Sequence, residues 1–187
     1  DDPAIKIDRT RKVVHTQKGE SVDYDRLIIA TGSSPFIPPV QGVDLKGVIS
    51  FRDIYDVNSM LDYCKTWKNA VVIGGGLLGL EAAYGLKQQG MNVTVLHLMD
   101  RIMDRQLDSK ASQMLKTAIE QKGITILTAA NTECLFGEEG HVTQVKLKDG
   151  TVLDADLVVF AVGIRPNMAL AQSAGLRCNR GVLVNDT

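Results

Sequence analysis

The residues of this chain with the clearest capacity for chemistry lie in one short run, VVIGGGLLGLEAA at 71–83. Gly74, Gly76 and Gly79 fit the spacing G-x-G-x-x-G, between an apolar stretch that reads as a buried strand and small residues that read as a helix. In that setting Gly74 permits a tight turn and Gly76 lets the backbone approach a diphosphate. Gly79 lets the helix pack closely on the strand, helped by Ala82 and Ala83. The backbone N–H groups that open the helix, those of Leu77 and Leu78 included, then face the phosphates together with the positive end of the helix dipole. The same glycines also suit a strand-to-helix turn selected for packing alone, so spacing leaves both readings open.

The next strand ends near His97, at the sheet edge where the adenosine ribose of a dinucleotide would lie. An NADH site usually places Asp or Glu there; this chain has His97, with Asp100 and Arg101 close by. A histidine beside Arg101 suits a 2′-phosphate, while a histidine turned to solvent reads nothing, so NADH and NADPH both remain open. Glu81 is expected in the first turn of the glycine-motif helix, either complementing its dipole or standing near the nicotinamide.

The elements that must hold these residues follow from periodicity. Residues 4–8 and 12–16 alternate and read as a hairpin, with a further turn at Lys18 and Gly19. The run 27–30 reads as an apolar strand ending at Gly32, before a loop containing Pro35, Pro38 and Pro39. Asp53 is the expected cap of a helix with Ile54, Val57, Leu61 and Cys64 on its buried face. Strands at 70–73, 91–98 and 124–128 alternate with a helix ending at Gly90 and one over 108–123, whose apolar face is Ala111, Met114, Leu115, Ala118 and Ile119. An antiparallel meander is expected over 132–153. The segment DADLVVFAVGIRPN at 154–167 then repeats the pattern of DYDRLIIATGSSP, which suggests two similar units.

Composition sets limits on this reading. With 21 basic and 22 acidic side chains in 187 residues and no basic stripe, no nucleic-acid partner is expected. No apolar run nears the roughly 20 residues that span a bilayer, so no membrane association is expected and the location is read as cytoplasmic. Cys64, Cys134 and Cys178 form neither a pair nor a metal-ligand cluster. His15 and His141 read as solvated side chains without partners.

With the glycine turn, YDRLIIATGS and VVFAVGIRPN in view, the chain resembles the pyridine nucleotide-disulfide oxidoreductases, flavoproteins with two dinucleotide sites. Within them, GGGLLGLEAA, RIMDRQLD and VGIRPN are similar to the reductase region of NAD(P)H nitrite reductases. The resemblance implies an α/β fold: a Rossmann-like βαβ NAD(P)-binding domain with an antiparallel meander, flanked by partial FAD-domain segments. Residues 1–37 would belong to the FAD domain, 38–168 to the NAD(P)H domain, and 169–187 to the return toward the FAD domain. Thr31 and Gly32 would lie in the turn nearest FAD, and Gly163 in the loop near the nicotinamide. Hydride would pass from NAD(P)H to FAD, then as electrons to an iron-sulfur cluster and siroheme outside this chain. Other FAD-dependent reductases, serving rubredoxin or ferredoxin or acting as NADH oxidases, and a non-catalytic dinucleotide-binding module are the alternatives.

The departures from the family pattern carry expectations too. No glycine-rich FAD turn precedes residue 1, so the chain reads as a fragment that relies on the remainder of the same polypeptide. Alone it is expected to bind no FAD tightly and to be inactive. The run 27–30 would be adhesive, leaving either a disordered N-terminal segment or self-association through that strand.

Overall fold

The computed structural model describes residues 1–185. Its first elements are the strands β1 (Ala4–Asp8), β2 (Val13–Thr16), β3 (Ser21–Asp23), β4 (Ser33–Pro35) and β5 (Val48–Ser50). There follow α1 (Ile54–Cys64), β6 (Asn69–Ile73), α2 (Leu77–Gln88), β7 (Asn92–Leu96), α3 (Ser109–Glu120) and β8 (Ile124–Leu127). The meander is β9 (Thr132–Glu138), β10 (His141–Leu147) and β11 (Val152–Asp154), and β12 (Leu157–Phe160), β13 (Ile164–Pro166) and α4 (Ala169–Ser173) complete the order. The chain divides into two units, Pro35–Gly163 and Asp1–Ser34 with the chain from Ile164 on. Residues 164–168 thus group with the N-terminal segment. Residues 186 and 187 of the expected return segment lie outside the described residues.

In the larger unit a five-stranded sheet runs in the order β5, β12, β6, β7, β8, with every pairing parallel. Both faces of its centre are covered, which is why β6 and β12 read as continuous apolar runs. Val72 and Val159 point toward Met60 of α1 and Ala82, Ala83 and Leu86 of α2, with Leu115 and Ile119 of α3 packed alongside. Val71, Val158 and Phe160 point the other way, into Leu135, Val142, Val145 and Leu147 of the meander. The sheet is therefore sandwiched between a helical layer and a second, antiparallel sheet.

The helix caps lie where the acidic residues predict them. Asp53 accepts hydrogen bonds from the N–H groups of Tyr55 and Asp56, and Asp56 reciprocates toward the Asp53 backbone. Asp53→Ala is expected to cost about 1 kcal/mol of unfolding free energy, measured by urea denaturation. Asp108 caps α3 through the Ala111 N–H at 2.8 Å. The expected faces are met in part: Cys64, Leu115 and Ile119 pack against the core, whereas Ile54, Leu61, Met114 and Ala118 are exposed and Met60 and Ser112 are buried. Ser112 is accommodated because its hydroxyl donates to the Ile102 carbonyl at 2.7 Å.

In the smaller unit β1, β2 and β3 form an antiparallel sheet. Residues 27–30 form no strand, contrary to expectation. No described strand lies beside them to complete a ladder, and Ile28 is 89% exposed. The internal echo is correspondingly partial. Its second copy is the fully buried β12, its first is unpaired, and only the segments after Gly32 and Gly163, β4 and β13, match by pairing with one another.

His15 is hydrogen bonded to Ser21 Oγ at 2.9 Å rather than partnerless. His141 is half-buried, stacked on Trp67 with ring centroids 4.5 Å apart, and its Nδ1 donates to the Val142 carbonyl. No described helix is long and apolar enough to cross a membrane, and no group of three metal-ligating side chains occurs among the described residues.

Candidate functional site

The chain leaves β6 at the point where the sheet switches direction: β7 lies on one side of β6 and β12 on the other. Crevices at such points, at the carboxyl ends of parallel strands, are where open α/β sheets bind ligands. Gly74 makes the turn with φ 126°, its N–H donating to the Leu96 carbonyl at 2.8 Å. A Cβ on Gly74 would strike the Ala161 carbonyl oxygen, and one on Gly79 would strike the carbonyl oxygen of Gly74. These two glycines are therefore demanded by the protein's own backbone.

Gly76 is different. Its φ of −89° is open to any residue, and a Cβ there meets nothing within 4 Å. It is the N-cap of α2 and supplies no side-chain hydrogen bond to the helix start. The first N–H groups of a helix have no intrahelical acceptor, and here no side chain substitutes for one. The first turn also carries no acidic residue, while Leu77 and Leu78 are exposed. An anion approaching this end meets free donors, a favourable dipole and no competing carboxylate. The residues present thus fit a diphosphate.

The His97 side chain is turned toward the glycine turn and away from solvent. Its Nδ1 accepts the Gly75 N–H at 3.0 Å, and its Nε2 lies 3.1 Å from Asp104 Oδ1. The histidine side chain is 12% exposed. Arg101 is more open, its guanidinium 3.6 Å from Asp100 Oδ1 and 3.5 Å from the Asp104 carbonyl. Glu81 is exposed and one turn further along α2 than expected, since the helix starts at Leu77 and its first turn holds no acid. The dipole argument for Glu81 therefore falls away, because that effect fades beyond the first turn.

Gly163, just beyond β12, has φ 110° and its carbonyl accepts the Phe36 N–H at 2.9 Å. Thr31 and Gly32 belong to the smaller unit, where Asn167 clamps them. The Thr31 hydroxyl donates to the Asn167 carbonyl at 2.6 Å, Asn167 Nδ2 donates to the Thr31 carbonyl, and the Asn167 N–H donates to the Gly32 carbonyl. Ser34 Oγ adds a bond to Asn167 Oδ1 at 2.8 Å. The role of Asn167 and that of Asp104 were missed as individual contacts; the only sequence signals were a polar residue directly after Pro166 and a lone acid among Ile102, Met103 and Leu107. The smaller unit contains no glycine-rich strand-to-helix turn among its described residues, and its helix α4 has five residues.

The chain matches the model of the pyridine nucleotide-disulphide oxidoreductase family over residues 1–187. It is 50% identical to a nitrite reductase (NAD(P)H) of Bacillus subtilis over 97% of its own length and 22% of the relative's. It is 39% identical to the nitrite reductase (NADH) large subunit of Escherichia coli, over 98% of its length and 22% of that protein. It therefore spans about a fifth of the length of these relatives. Its fold superimposes with a TM-score of 0.94 on a ferredoxin reductase from Rhodopseudomonas palustris at 31% identity, covering 98% of this chain and 45% of that one. The chain belongs to the pyridine nucleotide-disulphide oxidoreductase family.

Proposed function

We propose that Pro35–Gly163 binds NAD(P)H and that the chain is the electron-entry portion of an FAD-dependent oxidoreductase of the nitrite reductase type. The observation that carries this is the uncapped, acid-free start of α2 behind an open Gly76 at the switch point of a parallel sheet. The N–H groups of Leu77 and Leu78 and the helix dipole hold the diphosphate, while Gly74 and Gly79 keep the turn tight enough to present them. When bound, FAD supplies a hydride acceptor for the nicotinamide. Its cradle, and the iron-sulfur cluster and siroheme that would carry electrons to nitrite, are assigned to the remainder of the same polypeptide.

The similarity to the B. subtilis and E. coli nitrite reductases supports nitrite as the final acceptor. A second reading, a reductase serving a ferredoxin, is supported by the fold match to the R. palustris protein. Iron-sulfur and siroheme ligands encoded downstream in the same frame would select the first, and their absence there the second.

The test is a titration of this chain with NADH and NADPH, followed by nicotinamide fluorescence. Saturable enhancement with at least one coenzyme is expected, from a preparation without flavin absorbance and without turnover. No fluorescence change with either would overturn the assignment.

A further inference from the structure

The middle residue of the triple glycine, Gly75, is outside the G-x-G-x-x-G positions, yet both its N–H and its carbonyl are hydrogen bonded. Its N–H is taken by His97 Nδ1, and its carbonyl accepts the Met103 N–H at 2.9 Å. A Cβ at Gly75 would lie 2.9 Å from His97 Cγ and 3.0 Å from Ile102 Cγ2, so the imidazole and Ile102 occupy the space a side chain would need. Met103 adopts φ 51°, the left-handed region that a non-glycine residue enters only when its surroundings fix it there. The segment bearing it is anchored in turn by the buried Ile102, whose carbonyl accepts from Ser112 in α3. His97 Nε2 meets Asp104, the residue after Met103. The contacts close a ring from Gly75 through His97 and Asp104 to Met103 and back to Gly75.

The ring fixes the tautomer. With Nδ1 accepting from a backbone N–H, the ring proton resides on Nε2 and is donated to the Asp104 carboxylate. Both nitrogens are thereby committed to the protein, at the position where a dinucleotide site ordinarily places its ribose-reading acid.

Resting on the NAD(P)H reading above, we propose that His97 is a positioning residue for the diphosphate cradle and not a reader of the adenosine ribose. Asp104 holds its ring so that Gly75, and with it the Gly76–Leu78 donors, is set before the coenzyme arrives. Because the cradle is common to both coenzymes, the effect of His97 falls equally on NADH and NADPH, and discrimination between them is left to other groups at the sheet edge.

The experiment uses the 187-residue chain, fluorescence titration with each coenzyme, and long-range ¹H–¹⁵N spectra of the histidines. His97→Ala is expected to weaken NADH and NADPH by the same factor, on the order of tenfold, as befits the loss of one buried hydrogen bond and its aim. His97→Asn, whose Oδ1 can accept from Gly75 where Nδ1 does, is expected to recover most of that loss for both. The wild-type spectrum is expected to show an unprotonated Nδ1 and a slowly exchanging Gly75 N–H that becomes fast in His97→Ala. A change in the NADH-to-NADPH ratio larger than the shared loss would overturn the proposal, as would a protonated Nδ1 or equal exchange of Gly75 in both proteins. If neither coenzyme binds the wild type, the NAD(P)H reading fails and the cradle role fails with it; the spectra then still decide whether the Gly75–His97–Asp104 ring exists.

Discussion

Gly76→Ala is expected to lower coenzyme affinity by about 2–3 kcal/mol, on the order of a hundredfold in Kd, while leaving the fold almost untouched. The backbone there is extended, with φ −89° and ψ −172°, and a methyl group enters open space. Two small terms oppose each other in the folding equilibrium. Alanine restricts the unfolded chain, a gain of about 0.4–1 kcal/mol, and is a poorer N-cap than glycine by a similar amount. Unfolding free energy should therefore stay within about 1 kcal/mol of the wild type. The ligand meets the opposite situation, because the added methyl group occupies the surface over which a diphosphate must reach the Leu77 and Leu78 N–H groups. Urea unfolding and nicotinamide fluorescence on the same preparation measure both quantities. Unchanged affinity would mean that no ligand approaches Gly76 at this distance.

Much of the architecture is legible in the sequence because it rests on local rules. The runs that become β6 and β12 are continuous because both faces of a central parallel strand are buried, and Asp53 and Asp108 announce helix starts because a carboxylate there satisfies orphan N–H groups. The phase of a helix against its sheet is not local. Ile54, Leu61 and Met114 have the right spacing for a buried stripe, yet the stripe that packs includes Met60 and Ser112, the latter admitted by a hydrogen bond to a carbonyl ten residues back along the chain. The strand expected at 27–30 fails for a related reason. Apolar composition makes a segment capable of pairing, but a ladder requires a neighbour, and none of the described strands supplies one.

The site divides along the same line. The glycine spacing and its strand-to-helix setting are visible in residues 71–83, and the structure places Gly74, Gly76, Leu77, Leu78 and Gly79 together at the end of β6. His97 is in the expected place but oriented by partners that no periodicity reveals, a backbone N–H and an acid seven residues on. The same holds for Asn167, whose contacts with Thr31 and Gly32 join segments 136 and 135 positions apart in the chain; only the fold brings an amide side chain onto that loop.

Gly74→Ala should act in the opposite way to Gly76→Ala, on folding first. At φ 126° an L-residue is strained by about 1–3 kcal/mol before any contact is considered. Its Cβ also collides with the Ala161 carbonyl oxygen, with Ala161 C only 2.7 Å away. Relief would require Ala161 to move, but its N–H is bonded to the Ile73 carbonyl at 2.8 Å and it directly follows Phe160, which is 2% exposed in the central strand β12. Moving Gly74 instead would break its bond to Leu96 and disturb the β6–β7 pairing. Strain and displaced ladder together should cost about 3–5 kcal/mol, a large share of the 5–15 kcal/mol that holds a typical domain together. The expected result is a markedly lower urea midpoint, with soluble yield falling alongside. A loss below about 1 kcal/mol would show that the turn can relax and that the collision does not govern the choice of glycine. Measured side by side, the two variants separate the glycine that the chain needs in order to fold from the glycine that only an approaching ligand needs. A diphosphate cradle requires both kinds within three residues, whereas a turn selected for packing alone would show the folding loss at Gly74 and no effect on binding at Gly76.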